Sequence, residues 1–213
     1  MRLPRLPGTV LLAGLLTTSL NALAQGEPAA AAPAPPSTMA RHLNLALGAA
    51  WGTHAGSLAS SAGYDRNVGQ SLSLQGQLAW GLSRHVAVGL AVDWDSFAGA
   101  DNCGDCSASA VAVGPMVQYH LVQGTRFDPW LAAGVAWRSL EVRGAPDAGT
   151  YGGYDWLRLQ LGGDWYATSL FGLGPYLGMN LSRFPSRPDG AGSAATAWSF
   201  LTGFRVVLDT PGK

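Results

Sequence analysis

The chain has 213 residues, of which 47% are apolar and only 12% charged, with a formal net charge of zero. A soluble domain carries about 25% charged residues, so much of this surface does without charge, and the length suits one domain with extensions. Lys213 is the one lysine and no basic run occurs, so nucleic-acid binding has no electrostatic footing.

Arg2 and Arg5 precede the apolar stretch Val10 to Leu16, and Ala22-Leu23-Ala24 places small residues where a signal peptidase reads. This three-part pattern predicts a secretory signal peptide over residues 1–24, cleaved before Gln25. Residues 25–40 are rich in Ala and Pro, including Ala-Pro-Ala-Pro-Pro at 32–36, and are expected to be a disordered periplasmic linker. No apolar run of about 18 residues follows, so no membrane-spanning helix is expected.

From Arg41 onward the apolar pattern has a period of two, the mark of strands. The first segment reads Leu43, Leu45, Leu47, Ala49, Trp51. The second reads Leu72, Leu74, Gly76, Leu78, Trp80, Leu82, with Ser73, Gln75 and Gln77 between. Val86 to Trp94 and Val111 to Leu121 follow, then Leu131 to Trp137, Leu157 to Trp165, Leu177 to Leu181 and Trp198 to Leu208. These are about eight segments, each near the 9–11 residues that a tilted membrane strand needs. Connections near 52–69, 96–108, 142–154 and 184–195 are long, whereas those near 82–85, 122–128 and 167–174 are shorter. Outer-membrane barrels show this rhythm, with short periplasmic turns and longer outer loops.

Alternation alone leaves open which face points inward, since a soluble barrel buries its apolar face. Here the second face consists of Gly, Ala, Ser, Gln and a few charges, which suits a narrow lumen better than a solvent surface. The aromatics decide the matter. With strand 1 running outward, Trp51, Trp94, Trp137 and Trp198 fall at the outer rim, and Trp80, Tyr119, Trp165 and Phe204 fall toward the inner ends. Two such girdles are expected at the two membrane interfaces. The fold class is therefore an all-β, single antiparallel up-and-down transmembrane barrel of about eight strands over 41–208, with a C-terminal tail at 209–213.

The pattern resembles the small eight-stranded outer-membrane barrels of the OmpA/OmpX type, on architecture rather than on a diagnostic motif. The resemblance implies outer-membrane location, lipid as surroundings and the barrel insertion machinery as a partner; the oligomeric state is left open, with a monomer favoured. Such barrels usually end on an aromatic residue. Here Phe204-Arg205-Val206-Val207-Leu208 is followed by Asp209-Thr210-Pro211-Gly212-Lys213, a departure from that signal.

The inward face carries Asp93, Asp95, Arg138 and Arg158 near the outer end, and Asp164, Arg205, His120 and His42 lower down. Unpaired burial of charge is costly, so these residues are expected to pair as an internal salt-bridge plug. The competing reading is a selective conduit lined by Arg and Asp. Cys103 and Cys106 have thioredoxin-like spacing but no βαβ context, and two ligands are too few for zinc. A local disulfide at a loop tip is the expected state in an oxidising exterior. Ser83 and His85 share a turn on the periplasmic side, and Ser139 has no histidine nearby in sequence. No nucleophile–base–orienter set can be placed, so no catalytic residue, metal or cofactor is expected. The expected role is structural or surface-interacting through the loops, with a ligand left open. A narrow porin-like or lateral conduit is the alternative, and a lipid A-modifying enzyme stands third.

Overall fold

A computed structural model describes residues 35–56, 70–98, 107–144, 148–186 and 195–210. The expected signal peptide, most of the linker, Cys103, Cys106 and residues 211–213 lie outside them. Eight strands follow in chain order: β1 (Leu43–Gly56), β2 (Ser71–Gly81), β3 (Val86–Phe97), β4 (Ser107–His120), β5 (Phe127–Arg143), β6 (Gly149–Tyr166), β7 (Phe171–Ser186) and β8 (Ala195–Thr210). Each pairs antiparallel with its chain neighbours, and β8 closes onto β1 from Leu43–Thr210 to Gly56–Ala197. Closure leaves no unpaired edge, which is the condition for strands to cross hydrocarbon.

The side-chain period of two sorts the residues between two faces. Leu45, Leu47, Leu74, Leu78, Leu90, Val92, Leu131, Leu161 and Leu177 are exposed on the outside. Ala46, Ala50, Ser73, Gln75, Gln77, Ala91, Ala112 and Ala132 are buried in the lumen. This inverts a soluble barrel, and only lipid makes such an exterior stable.

Except for β2, which has 11 residues, the strands are longer than the expected 9–11 residues, and β5 and β6 have 17 and 18. The connection expected at 142–154 is consequently only 144–148, because β5 and β6 continue pairing as far as Val142–Gly149. The turn expected at 122–128 gives up Phe127 and Asp128 to β5, and β8 runs to Thr210, past the expected end at 208. The connections 82–85, 121–126 and 167–170 lie at one end of the barrel, here the turn end, and the other four at the loop end.

The last residues of the expected linker are not a free spacer. Residues 36–42 form a strap across the turn end. Gly124 N–H donates to the Pro36 carbonyl at 3.0 Å, and Met39 N–H to the Arg84 carbonyl at 3.0 Å. Arg41 N–H donates to Gly81 at 2.8 Å, and the Met39 side chain is fully buried. Gly81 is required at this crossing, since a Cβ there would lie 1.5 Å from the Met39 carbonyl oxygen.

Candidate functional site

Most of the ion-paired side chains among the described residues converge in the lumen, and the strands bring them there by parity. In the loop half, Arg138 of β5 meets carboxylates from two other strands. Its Nε and Nη2 donate to the Asp155 carboxylate at 2.8 and 2.9 Å, and its Nη1 to Asp95 Oδ2 at 2.6 Å. Ser182 Oγ–H donates to Asp155 Oδ1 at 2.5 Å. A planar guanidinium suits this two-sided, bidentate arrangement. Above it, the His54 ring lies between Ser199 Oγ at 2.9 Å and Ser71 Oγ at 2.8 Å, with its centroid 4.9 Å from that of Phe97.

In the middle a polar ladder crosses the lumen. Arg158 donates to Asp93, and Gln75 Nε2 donates to the other oxygen of Asp93 at 2.8 Å. Gln77 Nε2 donates to Gln75 at 2.7 Å and to Gln160 at 3.0 Å. Arg205 then donates to Gln77 Oε1 at 3.2 Å and bidentately to Asp164 at 3.0 and 2.5 Å. The Arg205 guanidinium also lies 3.5 Å from the centroid of the buried Trp130 ring, a cation–π stack. Gly162 makes room for that indole, because a Cβ there would stand 2.6 Å from it.

In the turn half the pairs involve histidine. His42 and Asp209 approach at 3.0 Å, and His120 and Asp128 at 2.6 Å. Several neighbours here, including His120 Nε2, Asp128 Oδ1, Asp209 Oδ2 and Tyr166 Oη, have no protein hydrogen-bond partner among the described residues. Polar atoms so buried are ordinarily satisfied by ordered water.

All eight expected lumen residues thus face inward into these groups. Parity reasoning missed Asp155, Asp128, Asp209, His54 and Trp130. Asp155 and Arg158 have opposite parity yet both face the lumen, because the β5–β6 register shifts between Gly134 and Ala136. The sequence pattern places Asp209 in the tail and Asp128 in a turn, whereas the structure includes them in β8 and β5.

The eight expected girdle aromatics all face outward. Trp51, Trp94, Trp137 and Trp198 lie toward the loop end, where Tyr154 and Trp156 join them. Trp80, Tyr119 and Trp165 lie at the turn end beside Phe127 and Phe171, with Phe127 opposite Trp165. Phe204 is a correction. It pairs with Ala49 and Pro175, well inside their strands, so it stands in the apolar band and not in the lower girdle.

The strand ladder is interrupted at two prolines, at Pro175 between Gly162–Tyr176 and Trp165–Leu173 and at Pro115 in β4. Pro115 has no N–H for the ladder, and β4–β5 pairing passes from Val113–Trp137 directly to Met116–Gly134. A groove of about 560 Å³ opens there between Leu90, Pro115, Val117, Ala133 and Val135.

Chemically, the lumen offers fixed pairs rather than a reactive centre. Ser71 is 1% exposed, and the second nitrogen of His54 meets Ser199 rather than a carboxylate. No group of three metal-ligating side chains converges among the described residues.

Comparison with solved structures finds the same architecture. Neisserial surface protein A superposes with a TM-score of 0.53 at 14% identity, covering 78% of this chain and 96% of that one. The chain has the fold of a small eight-stranded outer-membrane barrel. OprG of Pseudomonas aeruginosa gives a TM-score of 0.49 at 13% identity, covering 81% of this chain and 98% of that one. Ail, the attachment invasion locus protein of Yersinia pestis, gives 0.45 at 9% identity, covering 79% and 99%. No family model matches the sequence, and no curated protein matches it.

Proposed function

We propose that this protein is an exported outer-membrane barrel that acts as an anchor, presenting its loop end at the cell surface for structural or interaction roles. One observation supports this reading: the ion pairs of Arg138, Arg158 and Arg205 cross the lumen between β3, β5, β6 and β8, with the 36–42 strap across the turn end. A filled barrel transports little through its axis, which leaves its wall and loops to act. Residues 1–24 act as the cleaved signal, and Cys103 and Cys106 form a disulfide in their loop. In intact cells, added protease is expected to cut at the loop connections and to leave the barrel in the outer-membrane fraction, migrating faster unheated than heated on a gel. Recovery in the soluble periplasmic fraction after a carbonate wash would remove this reading.

A second reading, a lateral conduit for small apolar solutes, is favoured by the Pro115 break and its groove. Pro115→Val restores the missing donor at that position. Slower uptake of an apolar solute in cells carrying that variant would support a conduit, and unchanged uptake would exclude one at this break.

A further inference from the structure

Ionic groups at the turn end follow two different rules. The carboxylates there, Asp128, Asp164 and Asp209, all face the lumen and are at most 4% exposed. The exposed ionic side chains are Arg41, Arg84 and Arg126, and no acid is exposed beside them among the described residues. Among the described residues, neither a salt bridge nor a side-chain hydrogen bond engages any of the three, whereas Arg138, Arg158 and Arg205 in the lumen each hold a carboxylate.

Their position relative to the apolar band is regular. Arg41 lies two residues before outward Leu43, Arg84 two residues after outward Leu82, and Arg126 immediately before outward Phe127. Each guanidinium is therefore tethered at the edge of the lipid-facing surface, at the depth of headgroups rather than acyl chains. The strap links the three segments through its backbone. Met39 N–H bonds the Arg84 carbonyl, Arg41 N–H bonds Gly81, and Pro36 accepts from Gly124 in the turn that holds Arg126. Arg41 also has a φ of 63°, and it is the one non-glycine residue with positive φ among the described residues. That conformation is costly for a side-chain-bearing residue unless its surroundings impose it.

We propose that Arg41, Arg84 and Arg126 form a docking surface for the phosphate groups of anionic phospholipids in the leaflet at the turn end. Arginine presents planar donors that match phosphate oxygens bidentately. Basic side chains at a membrane surface attract anionic headgroups in an additive, salt-sensitive manner. The proposal rests on the membrane-barrel reading above, with the turn end at the periplasmic interface.

The test uses the full chain folded into bilayer nanodiscs of phosphatidylcholine with a minority of phosphatidylglycerol, with retained lipids counted by native mass spectrometry. Wild type is expected to retain phosphatidylglycerol above its bilayer fraction, by about fivefold for each arginine engaged. The triple variant Arg41→Gln, Arg84→Gln, Arg126→Gln should return to the bilayer ratio, while Arg143→Gln at the loop end should keep the enrichment. Enrichment that survives the triple variant, or that Arg143→Gln removes equally, overturns the proposal. Preferential capture of a soluble acidic protein by wild type, without lipid enrichment, also overturns it. A protein that folds as a barrel but shows no enrichment defeats the docking surface alone, whereas failure to enter bilayers defeats the membrane reading as well.

Discussion

The two halves of the lumen hold charge in different ways. In the loop half, one guanidinium is clamped between two carboxylates, and Ser182 completes the set. In the turn half, below the Arg205–Asp164 pair, two separate His–Asp pairs stand among buried polar atoms that have no protein partner among the described residues. The first arrangement joins β3, β5, β6 and β7 through direct bonds, so it locks the register of neighbouring strands. The second ties single pairs, His42 of the strap to Asp209 and His120 to Asp128 across one turn, and leaves neighbouring polar atoms without a protein partner among the described residues. Breaking the first should therefore cost more than breaking the second, because an uncompensated buried charge has nowhere to relax.

The largest effect is expected at Arg138. Arg138→Ala strands two buried carboxylates and should destabilise the barrel by about 3–5 kcal/mol, read as a lower urea midpoint of tryptophan fluorescence in detergent. Arg138→Met leaves the same two charges and should be nearly as damaging, whereas a triple change with Asp95→Asn and Asp155→Asn should recover much of the loss. Met39→Ala should be next, weakening strap attachment by about 1.5–3 kcal/mol. Faster amide hydrogen exchange at Met39 and Arg41, with the strand midpoints unchanged, would show it. Asp128→Asn should cost about 1–3 kcal/mol, less than Arg138→Ala in the same urea assay, and equality of the two would erase the distinction between the halves. Arg143→Gln, which removes an exposed pair with Glu141, should change stability by less than about 1 kcal/mol.

Most of the barrel was legible because the outward face never changes residue class over long stretches. In β3, Leu90, Val92 and Trp94 alternate with Ala91, Asp93 and Asp95, and the structure places the two sets on opposite faces. Such a pattern reports which face meets lipid, and each lumenal charge on an unbroken stretch is found by counting in twos. Where the ladder is irregular, counting fails. The register shift at Gly134–Ala136 hides Asp155, which completes the Arg138 clamp. The strap was illegible for another reason: an Ala/Pro-rich composition signals little burial, yet a single methionine at its end is fully buried. Phe204 misled because an aromatic on the outer face is girdle or band according to strand length, and β8 extends further than its apolar pattern suggests.

The filled lumen is the claim on which the anchor reading stands. Single-channel recording of the folded full chain in a planar bilayer tests it most directly. With the Arg138 clamp, the central ladder and the strap in place, the current should stay at that of the bare bilayer. Stable ohmic steps from wild-type protein that vanish when the barrel is heat-unfolded would contradict it.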